Sequence, residues 1–245
     1  MNLKGYFDFL NERHLIYLKK LRGEDFPWTT DPILQKYKFT NVFRENDRTT
    51  VWFRENVREG MRDEIEVALA TIIFRWFNRI ETGKILLEHD LYRGWDSDYC
   101  DEILREQPQW VTGAYIIKTP NGMDKLEGVC WCIDQIANDH SKFIDSMYEA
   151  KGSLGDEARD IMTWANPGPG AKRGLNRIHG RPLNKQIKSD INIGEMQVLL
   201  ELSQEWLHGQ VPSLEMRDIE HTLCEFDKYE RVRNGEGKPR SIYKR

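Results

Sequence analysis

Residues 156–178 read DEARDIMTWANPGPGAKRGLNRI. A helical run leads into Asn166-Pro167-Gly168-Pro169-Gly170, and a helical pattern resumes at Ala171, so the stretch predicts helix, tight turn, helix. Proline cannot continue the first helix and pre-sets φ for the second, while glycine lets backbone N–H groups approach an anion closely. The second helix points its N-terminus, with its partial positive charge, into the turn, and Lys172 and Arg173 add full charges. From 168 to 189 there are six bases (Lys172, Arg173, Arg177, Arg181, Lys185, Lys188) and no acid. A second block, 228–245, sets seven bases against two acids. The whole chain is nevertheless at −4, which leaves −15 on the remainder. Positive blocks on an acidic body suit phosphate contacts, since Lys and Arg release counterions there, although two solvated surfaces would show the same composition.

The chain has 245 residues, 39% hydrophobic and 31% charged, which excludes a disordered tail and a membrane protein. Its longest nearly unbroken apolar stretch, 67–74, falls far short of a bilayer span, and Met1-Asn2-Leu3-Lys4-Gly5 carries no signal-peptide core. A cytoplasmic protein is expected. Cys100, Cys130, Cys132 and Cys224 are too few for a disulfide scaffold and lack zinc spacing, so they read as buried thiols in a reducing compartment. The six histidines are scattered, and no metal site is expected from their spacing.

Outward from the hairpin, the hydrophobic period is helical nearly throughout. Helices are predicted at 5–22, at 32–37 behind an Asp31-Pro32 start, at about 62–78, 97–106, 124–149, 154–164, 171–178 and 193–208, and at 214–233 behind Ser213. The stretch 111–119 is the one strand-like run. The fold class is therefore all-α with at most a minor β-hairpin, arranged as one helical unit over 1–245 or as two packed lobes with the hairpin in a lobe at about 150–212. Most of the eight tryptophans fall one per element and read as core anchors. Trp28 differs, lying among polar groups in a turn, FPWTTDP, where sites are usually built.

Helix, P-G-x-G turn and helix together resemble the helix-hairpin-helix of DNA repair proteins, which grips the DNA backbone without reading sequence. On that resemblance Gly168, Gly170, Lys172, Arg173, Asn176, Arg177 and Arg181 are expected to bind DNA. The DNA glycosylase superfamily places an essential aspartate about twenty residues beyond the hairpin. Asp190 lies at that spacing, where helix capping would use it equally well.

Longer strings carry a more specific resemblance. Residues 26–56 (PWTTDPILQKYKFTNVFRENDRTTVWFREN from Pro27), 75–82 (RWFNRIET), 168–177 (GPGAKRGLNR) and 223–231 (LCEFDKYER) resemble phage and bacterial proteins of thymine hypermodification. These are the alpha-glutamyl/putrescinyl thymine pyrophosphorylases and the related helical domain of 5-hydroxymethyl-deoxyuridine DNA kinases. The resemblance implies a glycosylase-like helical fold acting on DNA in which 5-hydroxymethyluracil replaces thymine, in the bacterial host cytoplasm if the gene is a phage's. It further implies an enzyme, a transferase that displaces pyrophosphate from the 5-substituent with an amine or amino acid. The sequence has no G-x-x-x-x-G-K-[ST], so phosphoryl transfer would fall to a partner, a P-loop DNA kinase.

Such chemistry requires an extruded base, stabilisation of the departing pyrophosphate by cations or by Mg2+, and a carboxylate that deprotonates the incoming amine. No cofactor beyond that metal option is implied. Trp28, with Thr29 and Asp31 beside it, is expected to stack the base. Arg44, Asp47 and Arg48, on one face if helical, together with Lys38 and Asn41, are expected to clamp phosphate, unless they form a surface salt-bridge cluster. Arg75, Asn78 and Arg79 share a helical edge after an apolar run and join the substrate-binding set. Asp190, Glu225, Asp227 and Lys228 are the candidate catalytic residues. Glu225 and Lys228 share a face at i, i+3, as a base with a pyrophosphate contact or as an ordinary ion pair, while Asp227 points away from them. A non-catalytic DNA-binding module serving a kinase, and a true base-excision glycosylase using Asp190, remain the competing functions.

Overall fold

The apolar positions of the N-terminal segment recur at three and four, which makes residues Leu3–Leu21 (α1) helical and turns Tyr6, Phe7, Leu10 and Ile16 inward. Asn2 caps this helix by accepting from the Gly5 N–H. The computed structural model describes residues 2–61, 70, 80–88, 162–208 and 211–243. Seven α-helices are found among them: α1, α2 (Pro32–Lys36), α3 (Arg48–Asn56), α4 (Ile80–Glu88), α5 (Pro169–Ile178), α6 (Ser189–Trp206) and α7 (Met216–Arg233). The described residues contain no strand, only an isolated antiparallel bridge between Tyr37 and Ile242. The expected all-α class holds.

The chain divides into two compact units. One comprises Met1–Asp47 with Arg159–Arg245, the other Arg48–Ala158. The hairpin region thus shares its unit with α1 and α2, which lie far from it in sequence. In the second unit α3 packs beside α4, and Phe53, Val57, Ala70, Ile80 and Leu86 are buried. The helices expected at 62–78, 97–106 and 124–149, the strand at 111–119, and Arg75, Asn78 and Arg79 lie outside the described residues, apart from Ala70, which is helical. The helix expected at 154–164 also lies outside them except at its end, where 162–163 form a turn.

In the first unit α5 lies against α7, and α1 closes over both. Leu175 and Ile178 of α5, Met196 of α6, and Ile219, Leu223 and Phe226 of α7 meet Tyr6, Phe7 and Leu10 of α1 in one core. Tyr6 packs edge-on against Phe226 at 5.4 Å, and its hydroxyl shares a 2.7 Å hydrogen bond with Thr222. Several boundaries differ from the sequence reading. Pro169 occupies the first turn of α5, so that helix begins two residues early behind Gly168. α6 starts at Ser189, which places Asp190 in its first turn, exposed, where a carboxylate is favoured by the helix dipole. α7 is capped by Glu215 rather than Ser213, in a reciprocal capping box with Asp218. Trp164 is 53% exposed, so it is not the core anchor that the even spread of tryptophans suggests.

The approach of α5 to α7 is set by Gly174. A Cβ built there would lie 3.0 Å from the Leu223 carbonyl carbon and closer still to its oxygen. Backbone cannot yield as a flexible side chain can, so Gly174→Ala should force the helices apart and destabilise the unit by about 2–3 kcal/mol. Urea denaturation followed by helical circular dichroism measures this, and an unchanged midpoint would show that the contact is loose.

Candidate functional site

The turn at 168–170 faces inward onto α7. The Gly168 N–H donates to Glu220 Oε1 at 3.3 Å, so a carboxylate sits where a phosphate was expected. A Cβ on Gly170 would lie 2.7 Å from Cys224 Sγ. Burial and the neighbouring Glu220 push the Cys224 thiol up to about 12, which keeps it protonated and unreactive. Asn176 is buried and donates from Nδ2 to the Leu183 and Lys185 carbonyls, latching the turn that follows α5.

The arginines of this segment are also engaged within the fold. Arg173 Nε and Arg177 Nε each lie 2.9 Å from a different oxygen of Asp227, whose side chain is only 1% exposed. Arg177 also pairs with Glu236, and Arg181 Nη2 meets Glu195 Oε1 at 2.5 Å. Lys172, Lys185 and Lys188 form no ion pair among the described residues. Asp227, expected near the chemistry, is therefore an anchor between α5 and α7, with both oxygens held by guanidinium groups.

The structure does bring the first and last family strings together. The loop after α2 lies along α7. Glu225 Oε2 accepts the Thr40 N–H at 3.0 Å and pairs with Lys228 Nζ at 2.5 Å. Lys228 sits 4.6 Å over the Phe39 ring and also donates to the Lys38 carbonyl. One turn earlier on α7, His221 Nε2 meets Thr40 Oγ1 at 2.7 Å and Arg44 Nη1 at 2.5 Å. Asp218 accepts the Arg44 N–H with one oxygen and the Glu215 N–H with the other.

From the other side α1 contributes Arg13, which donates from Nε and Nη2 to the Phe39 carbonyl and from Nη2 to Asn41 Oδ1. Arg13 is buried, and its Nη1 has no hydrogen-bond partner. The sequence signal for it was a base inside the apolar period of α1. Arg44 pairs with Asp47 at 2.9 Å, and Asp47 accepts the Asn41 N–H. The expected shared helical face of Arg44, Asp47 and Arg48 does not form. A short 3-10 turn, Arg44–Asn46, ends at Asp47 in extended backbone, and Arg48 opens α3 in the other unit.

The turn around Trp28 forms a second polar region. Trp28 Nε1 donates to the Glu24 carbonyl, and the ring lies edge-on to Phe26 at 5.2 Å and to Tyr243 at 5.6 Å. Thr29 is buried, with its hydroxyl donating to Glu12 Oε1 and accepting the Asp31 N–H. Asp31 caps α2 through the Ile33 and Leu34 N–H groups and accepts from the Tyr229 hydroxyl at 2.6 Å. Lys38 is exposed, and its backbone N–H pairs with Ser241.

Glu12, which holds Thr29, also lines a groove of about 500 Å3 beside α1. Asp8, Glu12, His14 and His208 supply its titratable groups, and Leu15 and Leu18 its apolar surface. None of these was singled out from sequence. Asp8, Glu12 and Leu15 do follow helical spacing on α1, but His208 comes from the far end of the unit. Among the described residues no three His, Cys, Asp or Glu side chains are placed to hold a metal ion, and no helix is long and apolar enough to cross a membrane.

A family model for the helical domain of 5-hmdU DNA kinase matches this chain over residues 2–157 and 157–239. The chain belongs to that family. Among curated proteins it is similar to the 5-hmdU DNA kinase of Bacillus phage SP10, with 25% identity over 285 aligned residues. The alignment covers 91% of this chain and 44% of the phage kinase, so the chain spans less than half of that relative's length. No solved structure matches. The family membership supports a setting in phage thymine modification. It leaves the role of each residue to be argued from the geometry above.

Two measurements separate structural from catalytic roles. Asp227→Asn should cost about 3 kcal/mol of stability by leaving Arg173 and Arg177 without their shared partner, whereas Glu225→Gln, which keeps an acceptor for Thr40, should cost less than about 1 kcal/mol. Equal urea midpoints for both variants would refute the anchoring role of Asp227. Burial lifts the Asp218 carboxyl from 3.8 to about 6 despite its two backbone donors. The folded state then binds this proton more tightly than the unfolded chain, so the contribution is complete below about pH 4 and is lost as pH rises through about 6. Asp218→Asn should remove that downward component from the pH profile of stability; profiles that ran parallel would contradict it.

Proposed function

We propose that this chain is the DNA-engaging helical module of a thymine-hypermodification system, which holds DNA carrying 5-hydroxymethyluracil while a kinase activity acts on the base. The observation that carries this reading is the match of the helical-domain family over nearly the whole sequence, in a chain that lacks the G-x-x-x-x-G-K-[ST] phosphate loop. The side-chain geometry supports it from the negative side. Asp227 is locked between two arginines, Glu225 is held by Thr40 and Lys228, and Asp190 stands exposed at the start of α6, so none of the three is a buried, unpartnered base.

A second reading, transfer of an amine or amino acid onto the 5-methylene with loss of pyrophosphate, draws on the groove beside α1. Its carboxylates and imidazoles offer proton acceptors within a volume that admits a pyrimidine ring. In that reading Glu12 or His208 replaces Glu225 as the base.

The readings predict different outcomes with the same DNA. The module should bind hydroxymethyluracil oligonucleotides in a salt-dependent manner and raise the rate of a 5-hydroxymethyluracil DNA kinase supplied with ATP, leaving the DNA unchanged when alone. With pyrophosphorylated DNA and amines, nucleoside mass spectrometry detects an amino-substituted thymidine only if the chain is a transferase, and an abasic site only if it is a glycosylase. Failure to bind DNA of any kind would overturn the proposal.

A further inference from the structure

The arginines after the Gly/Pro turn are ion-paired within the unit, yet four bases elsewhere in the same unit are exposed and form no ion pair among the described residues: Lys36, Lys38, Lys238 and Arg240. The C-terminal segment brings them together. Its bridge to Tyr37 is secured by Lys38 N–H to Ser241 and by Tyr243 N–H to Lys36 at 3.0 and 3.1 Å. Arg240 therefore sits next to the bonded Ser241, and Lys36 and Lys38 flank the bridge.

Beside these charges lies an aromatic row. Phe26, Trp28 and Tyr243 follow one another edge-on, and Lys20 Nζ is 4.3 Å from the Trp28 ring and 4.2 Å from the Tyr243 ring. Lys20 also donates to the Tyr243 hydroxyl at 2.8 Å, which ties the tail to the row. Phe26, at the outer end, is 39% exposed. Of the three acids in and beside this turn, Glu24 is paired with Arg22 at 2.6 Å and Asp31 is held by the start of α2 and by Tyr229, which leaves Asp25 against four bases that form no ion pair among the described residues.

We propose that this corner, built from the Phe26-Trp28 turn and the C-terminal segment around Tyr243, is where the module grips a single-stranded or splayed stretch of DNA. The inference rests on the DNA-engaging reading above and names the surface responsible. Phe26 supplies an exposed ring for stacking a base, with Trp28 and Tyr243, whose rings carry Lys20, in the row behind it, and the four cationic side chains supply phosphate contacts. Together they form the sequence-tolerant combination used for single strands. An acidic protein would be drawn to the same charges but would gain nothing from an open phenyl face.

The test is fluorescence anisotropy with labelled single-stranded and duplex oligonucleotides containing 5-hydroxymethyluracil, over a range of salt, using the full chain. Lys238→Ala with Arg240→Ala should weaken binding about tenfold at low salt and flatten the salt dependence by roughly 1.4 in log–log slope, about 0.7 for each lost phosphate contact. Phe26→Ala should weaken single-strand binding about tenfold with the slope unchanged, because stacking releases no counterions. Both sites are exposed, and circular dichroism verifies that the variants keep their helices. Lys185→Ala with Lys188→Ala, on the hairpin side, should leave affinity near the wild-type value.

If the wild type binds and the corner variants match it, or if only the hairpin variant loses affinity, the inference fails while the DNA-engaging reading stands. If the wild type binds no oligonucleotide, both fall. Polyglutamate competing as well as DNA, with Phe26→Ala indistinguishable from wild type, would assign the surface to acidic proteins and overturn the inference.

Discussion

The first unit depends on how closely α5 can approach α7. Gly174, with no Cβ to meet the Leu223 backbone, lets the two helices approach closely, and Asp227 then receives Arg173 and Arg177 across the seam. A buried carboxylate between two guanidinium groups contributes little net stability compared with an apolar pair, but removing one partner is costly, so it fixes the register of the two helices. That register in turn positions Leu175 and Ile178 against Leu223 and Phe226, and gives α1 a surface on which to bury Tyr6, Phe7 and Leu10.

The same seam decides what the basic segment after the hairpin can do. Each arginine there satisfies a carboxylate of the same unit, and Glu220 takes the N–H at the turn that an external anion would need. The charge of these three arginines is thereby put to structural use. The opposite happens at the C-terminus, where Lys238 and Arg240 follow α7 and form no ion pair among the described residues. Binding by phosphate contact requires bases whose charge is not already compensated, and by that criterion the Trp28 corner has more to offer than the hairpin.

Residues 38–47 illustrate a third use of polar groups. Lys38, Asn41, Arg44, Asp47 and Arg48 look like a phosphate clamp in sequence, whereas in the fold Thr40, Asn41 and Arg44 tie an irregular loop to α7 and to Arg13 of α1. A loop that crosses a core needs partners for its backbone N–H and C=O groups, and these side chains provide them. Arg13 Nη1, buried and without a partner, is the one donor of this knot left unsatisfied among the described residues.

Much of the architecture was legible in the chain itself. Apolar period, Asp31-Pro32 and the Gly/Pro elbow located α1, α2, α5 and α7 to within a few residues, because helix formation and capping are local and depend on neighbours three or four positions away. The spacing of Glu225 and Lys228 likewise placed them on one face with Asp227 turned from it, since helical geometry is regular. The partners of those residues were not legible. Asp227 meets arginines fifty positions upstream, Glu225 meets Thr40, and His208 shares a groove with Glu12. Whether a charged side chain faces solvent or an opposite charge depends on which distant helix packs beside it. Sequence alone determined the helices and the charges they carry; the tertiary structure decided which charges are spent on holding those helices together and which remain for a ligand.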